Sequence, residues 1–422
     1  MKSIRRNNQP DPAVKRFVVT GIMLLLTSAL VLLSSSGCSG TGEPSEMYSV
    51  ETLDSGVVRV THHQLSLKTL TPDTVGIWNL WEEDSGYFFN NISAADGAEG
   101  GFYLCDLGNR QVVKVDLEGK AQFSFGRSGQ GPGEFRFPFS LKVFGDQVWV
   151  ADMMNNRFSV FGLDGSYLRD LRWEGYRWFG GGFHLVGDNR VLSTAQTFVG
   201  FEDTEEIDPV FSVVIFDLDS GESDTLATMT GLRNHQITVS SMTGQGMTFI
   251  GPPKFAPGLH WTFAGEDRLL TVTGLDYRFE ERDLRGRVHR EVLAPAPDLT
   301  VTQRDRKWFL EEEGMRFGFG TGEVFTATRT SLENYPFAER RQAIEAISVD
   351  PLGRIWVLAN TEDPGSKRMD LFDREGGYLG SLGDFPMPIS FNREGLALLQ
   401  ISDRESMDIF YVVNVPESPM EQ

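Results

Sequence analysis

The side chains with the most chemistry to offer are spread thinly along the chain. The six histidines are His62, His63, His184, His235, His260 and His289. None sits in an HExxH or a paired Cys/His spacing, so local sequence does not define a zinc site. Distant strands that meet at a common axis could still assemble one. His184, His260 and Asp350 lie in or near segments that read as inner strands, and such a set could hold a divalent metal. No GxSxG elbow is present. GRSGQGPGEF (126–135) is rich in glycine but lacks the Lys-Ser/Thr of a phosphate-binding loop and its strand-to-helix context, so it reads as a connection that needs positive φ. Asp106 with Asn109 and Arg110, and Asp152 with Asn156 and Arg157, read as turn chemistry. Their Asp and Asn side chains are expected to bond nearby amides, with Arg pairing to Asp across the loop. Cys105, in the apolar run FYLCD, reads as buried and inert. With only one other cysteine, there is no disulfide framework.

The elements that carry these residues are strands. The 422 residues include 45 glycines and 31 phenylalanines, and short alternating runs dominate over helix-forming stretches. Two segments align clearly: GGFYLCDLGNRQVVKVDLEGKAQFSF (100–125) and GDQVWVADMMNNRFSVFGLDGSYLRDL (145–171). Both read as turn, strand ending in Asp, short loop, strand, acidic-Gly turn, strand. The unit recurs at 183–226, 260–293, 346–382 and 388–415, and the first copy begins at ISAAD (92–96). Six four-stranded units of this length are blades, because one such sheet cannot bury both its faces alone and a closed ring buries them all. The expected fold is therefore all-β: a six-bladed β-propeller over 48–416, with short helices in one inter-blade insertion. The sixth unit lacks a fourth strand, and VVRVTHH (57–63) is expected to supply it and so close the ring.

DxxNNRFSVFGLDG (152–165), preceded by GQGPGEF (129–135), resembles the NHL repeat. The whole chain is similar to the six-bladed NHL-like propellers of bacterial secreted proteins and lipoproteins. The match is strongest over 100–171. That resemblance implies the fold and little about activity.

Residues 1–16 are polar and basic, and 17–33 form an apolar stretch. Together with the small residues at 34–37 they form a secretory signal. Ser36-Gly37-Cys38 resembles the lipobox of bacterial lipoproteins, with Ser35 standing where that family usually has Leu, Val or Ile. The resemblance implies cleavage after residue 37 and a diacylglycerol on the Cys38 thiol. Residues 38–47 then form a polar tether and 417–422 a C-terminal tail. The expected location is outside the cytoplasm, membrane-anchored in the periplasm or at the cell surface. Ser39, in place of the Asp of inner-membrane retention, leans to the outer membrane if the cell has one. The formal charge of −20 becomes −24 once the five cations and one acid of residues 1–37 are removed. Such a body repels nucleic acid.

Strand parity puts three long insertions on one face of the ring: 197–210, 232–258 and 294–345. Within the last, Thr302 is expected to cap a helix reaching about Glu313, with Val301, Trp308 and Phe309 on one side. Pro336 is expected to open a second helix reaching Ala346. Long loops gathered on one face of a rigid scaffold are suited to recognition. Arg157, Arg233, His235 and Trp261 are the expected ligand contacts. The expected function is an extracytoplasmic binding protein for a peptide, glycan or protein partner, and no cofactor is required. The alternative, drawn from similar propellers, is a lactonase or lyase with a divalent metal at the axis.

Overall fold

In the strand Gly101–Asp106 every residue is buried. Phe102 and Leu104 pack to one side of the sheet, and Tyr103 and Cys105 to the other. The same split recurs at Trp149/Ala151 against Val148/Val150, and at Trp356 against Ile355/Val357. A strand whose two alternating faces are both apolar needs a neighbouring sheet on each side. The computed structural model supplies them. It describes residues 47–415, apart from 66–67, 81–84, 174–181, 188, 198–207, 242–245, 314–315, 319–323, 328–333 and 403–407. The expected signal segment, Cys38, the expected tail and most of the 197–210 insertion lie outside the described residues.

Six antiparallel sheets form the ring, each with its first strand innermost. These inner strands are Ile92–Ala98, Pro138–Phe144, Phe183–Val186, His260–Gly265, Ile344–Val349 and Ser390–Phe391, which begin blades one to six in turn. The protein is a six-bladed β-propeller of four-stranded blades. Six apolar clusters hold it together, one at each junction between neighbouring blades, including the junction of blade six with blade one. Each fully buried large side chain in them contributes roughly 1.5–3 kcal/mol.

The ring is closed by Asp73–Asn79, which pairs antiparallel with Asp408–Asn414 as the outer strand of blade six. This corrects the expectation for 57–63. Trp78 explains the choice. It is 3% exposed, it lies edge-on to Phe102 of blade one, and its Nε1 donates to Leu117 O at 2.7 Å. The 57–63 region instead forms a hairpin, Tyr48–Thr52 with Val58–His62, on the outer edge of blade four. There Val58–His62 runs parallel to Val288–Leu293. Val60 enters the core between blades four and five, Arg59 pairs with Glu291, and His62 Nε2 lies 2.8 Å from Gly376 O.

The 232–258 and 294–345 insertions pair with each other. His235–Ser241, Gly246–Gly251, Arg316–Gly318 and Val324–Ala327 make a seventh four-stranded sheet. Thr302 caps the helix Gln303–Trp308 through a capping box with Asp305, and a π turn follows over Phe309–Glu313. The expected helix from Pro336 does not form, and this is again a correction. Its backbone groups are taken by partners across the cap: Lys254 N donates to Pro336 O, Ala338 N to Lys254 O and Arg341 N to Leu299 O. From Ile344 the chain is already the inner strand of blade five.

The first and last blades meet at Gly97. A Cβ there would lie 2.0 Å from Phe391 O. Gly97→Ala should therefore destabilise the protein by about 1–3 kcal/mol or more through overpacking, and Trp78→Ala by about 3–5 kcal/mol. Gly274→Ala, with nothing within 4 Å of its Cβ position, should be nearly neutral. Denaturant midpoints for the three variants check the ranking.

Candidate functional site

All six inner strands face the axis, and they enclose a channel. Its end on the insertion face is a cavity of about 620 Å³. Every blade contributes to its wall: Ile92–Ala95, Phe139–Lys142, Gly182–His184, Leu259–Phe263, Ala346–Ser348, and Ile389 with Gln400. The other end opens between residues such as Gly97, Phe144, Gly265, Pro351 and Arg393. The two ends share Lys142, His184, Thr262, Phe263, Ser348 and Ile389, which form a waist. At the waist the His184 ring stacks on Phe263 with 4.3 Å between centroids. Asp96 accepts from Lys142 Nζ at 3.1 Å, from Val143 N at 2.7 Å and from Ser390 Oγ at 3.2 Å, so blades one, two and six are tied across the axis.

Among the described residues, Lys142 is the only Lys, Arg, Asp or Glu side chain lining the upper cavity, and it is paired with Asp96. The remaining polar side chains are hydroxyls, an amide, imidazoles and one indole: Ser93, Ser140, Thr194, Thr262, Ser348, Gln400, His184, His260 and Trp261. Burial pushes the His184 pKa down to about 3, and the nearby Lys142 ammonium adds to the shift. Burial also lowers the pKa of His260, opposed by the hydrogen bond to Gln342. Both rings are therefore neutral at pH 7 and act as hydrogen-bonding groups.

The residues expected from sequence do not gather at one place. Trp261 lines the upper cavity, where its Nε1 donates to Thr194 Oγ1 at 2.8 Å. Arg157 is 2% exposed. It pairs with Asp170 at 2.7 Å and donates to Gly131 O and Glu134 O, so its guanidinium clasps the glycine-rich connection. Arg233 is exposed, with its Nε 3.7 Å from Asp208 Oδ1. His235 opens the first strand of the insertion sheet, opposite Gly251. His184 and His260 do line the axis cavity, whereas Asp350 is fully engaged below it. Arg354 Nε and Trp356 Nε1 donate to its Oδ2, and the Leu352 and Arg354 amides to its Oδ1. Among the described residues no three of His, Cys, Asp and Glu are grouped as a metal-ligand set. Lys142, Thr194, Thr262, Ser348 and Gln400 carried no signal in the sequence beyond their place on inner or second strands.

The glycine-rich loop is the connection expected. Gly129 and Gly133 take φ of +157° and +70°, and Phe135 is completely buried beneath the loop. The Asp turns differ in one respect. Asp106 accepts from the Asn90, Asn91 and Asn109 amides and from Asn109 Nδ2. Asp152 accepts from the Arg136, Phe137 and Asn155 amides and from Asn155 Nδ2. Their carboxylates are thereby filled, so Arg110 and Arg157 do not pair with them. Cys105 is fully buried, with its thiol pushed up to about 12 by desolvation.

No family model and no curated protein matches this chain. Among solved structures it is similar to a candidate exported protein from Bacteroides fragilis, at 11% identity over 85% of this chain and 98% of that one, with a TM-score of 0.44. It is also similar to a member of the DUF4221 family from Bacteroides vulgatus, at 12% identity over 83% and 99%, with a TM-score of 0.49. A third is a streptogramin B lyase, at 12% identity over 81% and 97%, with a TM-score of 0.35. The assignment as a propeller rests on the strand pairing and the six junctions, not on these likenesses.

A folded-state pKa of His184 far below its unfolded value makes a signed prediction. The unfolded chain takes up a proton below about pH 6.5 that the folded chain refuses, so stability is lost as pH falls from there toward 3. The stability difference between the wild type and His184→Gln should shift against the wild type by up to about 1 kcal/mol per pH unit over that window. Urea unfolding at pH 7, 6, 5 and 4 measures it, and parallel curves would contradict the assignment.

Proposed function

We propose that this protein is an extracytoplasmic binding protein, held at a membrane through Cys38, that takes a neutral, hydroxyl- or amide-rich ligand into the axial cavity on its insertion face. The ligand is a sugar unit of a glycan or a short peptide segment. One observation carries this reading. A cavity of about 620 Å³ draws its wall from all six blades, and its one charged lining residue among those described is already paired. That size suits a small ligand or the end of a larger one. Its chemistry of aromatic faces beside Ser, Thr, Gln and neutral His suits a partner that hydrogen-bonds without net charge. The rigid ring fixes these groups before the ligand arrives, which lowers the cost of binding.

Glycan and peptide arrays probed with the chain from Ser39 onward provide the test. A ligand found there should lose at least about tenfold in affinity with Trp261→Ala, since an aromatic anchor in such a site is commonly worth more than about 1.4 kcal/mol. Ser348→Trp, which fills the waist, should abolish binding with the far-ultraviolet circular dichroism unchanged. Binding that survives both substitutions rules the axial cavity out. The metal-dependent alternative makes a separate claim: a stoichiometric divalent ion that stays with the purified protein. Elemental analysis is expected to find none. For the anchor, metabolic labelling with palmitate is expected to mark the wild type and not Cys38→Ala.

A further inference from the structure

A second cavity of about 360 Å³ lies off the axis, between the paired insertions and blades four and five. Of the described residues it has only His260 in common with the axial cavity. Its character is different. Phe255 and Trp308 supply apolar walls, and Lys254, Arg341 and Lys367 set three cations against one lining carboxylate, Glu345.

Arg341 is the decisive residue. It is 3% exposed, and its Nη2 donates to Glu362 O at 2.9 Å. Its Nε lies 2.9 Å from Oδ1 of the equally buried Asp305, yet neither atom is aligned for a hydrogen bond. Its Nη1 is buried and has no hydrogen-bond partner among the described residues. A guanidinium corner left open inside a protein is a donor waiting for an acceptor. The surroundings are held in place. Gly365 packs so tightly on Trp308 that a Cβ there would lie 2.6 Å from the indole Nε1. The Lys254 ammonium sits over the Phe309 ring at 4.9 Å and over Phe255 at 5.4 Å. Lys367 is tied to Glu345 and to Asn360 Oδ1.

We propose that this cavity is a second binding site, for a small organic carboxylate with a flat apolar body. The carboxylate accepts from Arg341 Nη1 beside the two lysines, and the body lies against Trp308 and Phe255. A charge-assisted hydrogen bond to Arg inside a low-dielectric pocket gives the acid its advantage over a neutral isostere. The aromatic walls give the preference for a flat body.

The experiment uses phenylacetate as the probe and phenylacetamide as its uncharged counterpart, read by tryptophan fluorescence of the chain from Ser39 onward. Phenylacetate should change the emission saturably and bind at least roughly tenfold tighter than the amide. Trp308→Phe should silence most of the response. Gly365→Ala, which drives the indole toward the cavity, should weaken binding. Arg341→Met should remove the preference for the acid. If that variant does not fold by circular dichroism, the acid–amide comparison and Gly365→Ala decide the matter without it. Equal affinity for acid and amide, a response that persists in Trp308→Phe, or no saturable response to phenylacetate up to about 10 mM would each overturn the proposal. Ser348→Trp, which blocks the axial cavity, should leave this response intact, so failure of one site is distinguishable from failure of the other.

Discussion

Burial of both faces of every blade is the constraint on which the rest of this structure depends. A strand such as Gly101–Asp106, with Phe102 and Leu104 on one side and Tyr103 and Cys105 on the other, has no stable existence in a single sheet. It becomes stable only when a second sheet covers each side. Six blades satisfy this in a closed circle, so no blade is left with an uncovered face. The gain is shared among six junctions of similar make-up. The junction of blade six with blade one joins the two ends of the chain, and there Trp78 is clasped between Phe102 and Phe410.

Closure also creates the channel. Six inner strands converge on the axis, and close approach is needed where the circle shuts, as the contact of Gly97 with the Phe391 carbonyl shows. The inner strands present one row of side chains to their neighbours and the other to the axis. The axial row is free of core packing duty, and it is there that Lys142, His184, Thr262 and Ser348 lie. The Asp96–Lys142 pair spans inner strands of adjacent blades at the waist.

The insertions answer a different need. Each leaves the ring after the outer strand of a blade and must satisfy its own backbone before returning to the axis. They do so with one another. A shared four-stranded sheet, the Thr302-capped helix and the extended run through Pro336 form a cap whose hydrogen bonds come from two distant stretches of chain. Gln342 locks this cap to the ring: it accepts from Gly258 N and donates to Gly258 O and Gly274 O. The off-axis cavity is what remains between that cap and the blades.

The sequence by itself determined the number of blades, the position of each inner strand and the burial of Cys105, because period-two alternation and acidic-Gly turns are local properties of the chain. It also determined the cap of the helix at Thr302, since a capping box is complete within four residues. Tertiary structure alone decided which early strand closes the ring. Both 57–63 and 73–79 alternate, and only the pocket for Trp78 between blades one and six separates them. It decided that the Pro336 segment stays extended, because its amides and carbonyls meet Lys254 and Leu299 before they can meet one another. It decided that Arg157 serves the glycine-rich loop and leaves Asp152 to the Arg136 and Phe137 amides. The axial cavity belongs to the same class. Its lining comes from all six blades, as short runs and single residues at eight places in the sequence, and no window of the chain holds enough of it to be recognised before the ring is closed.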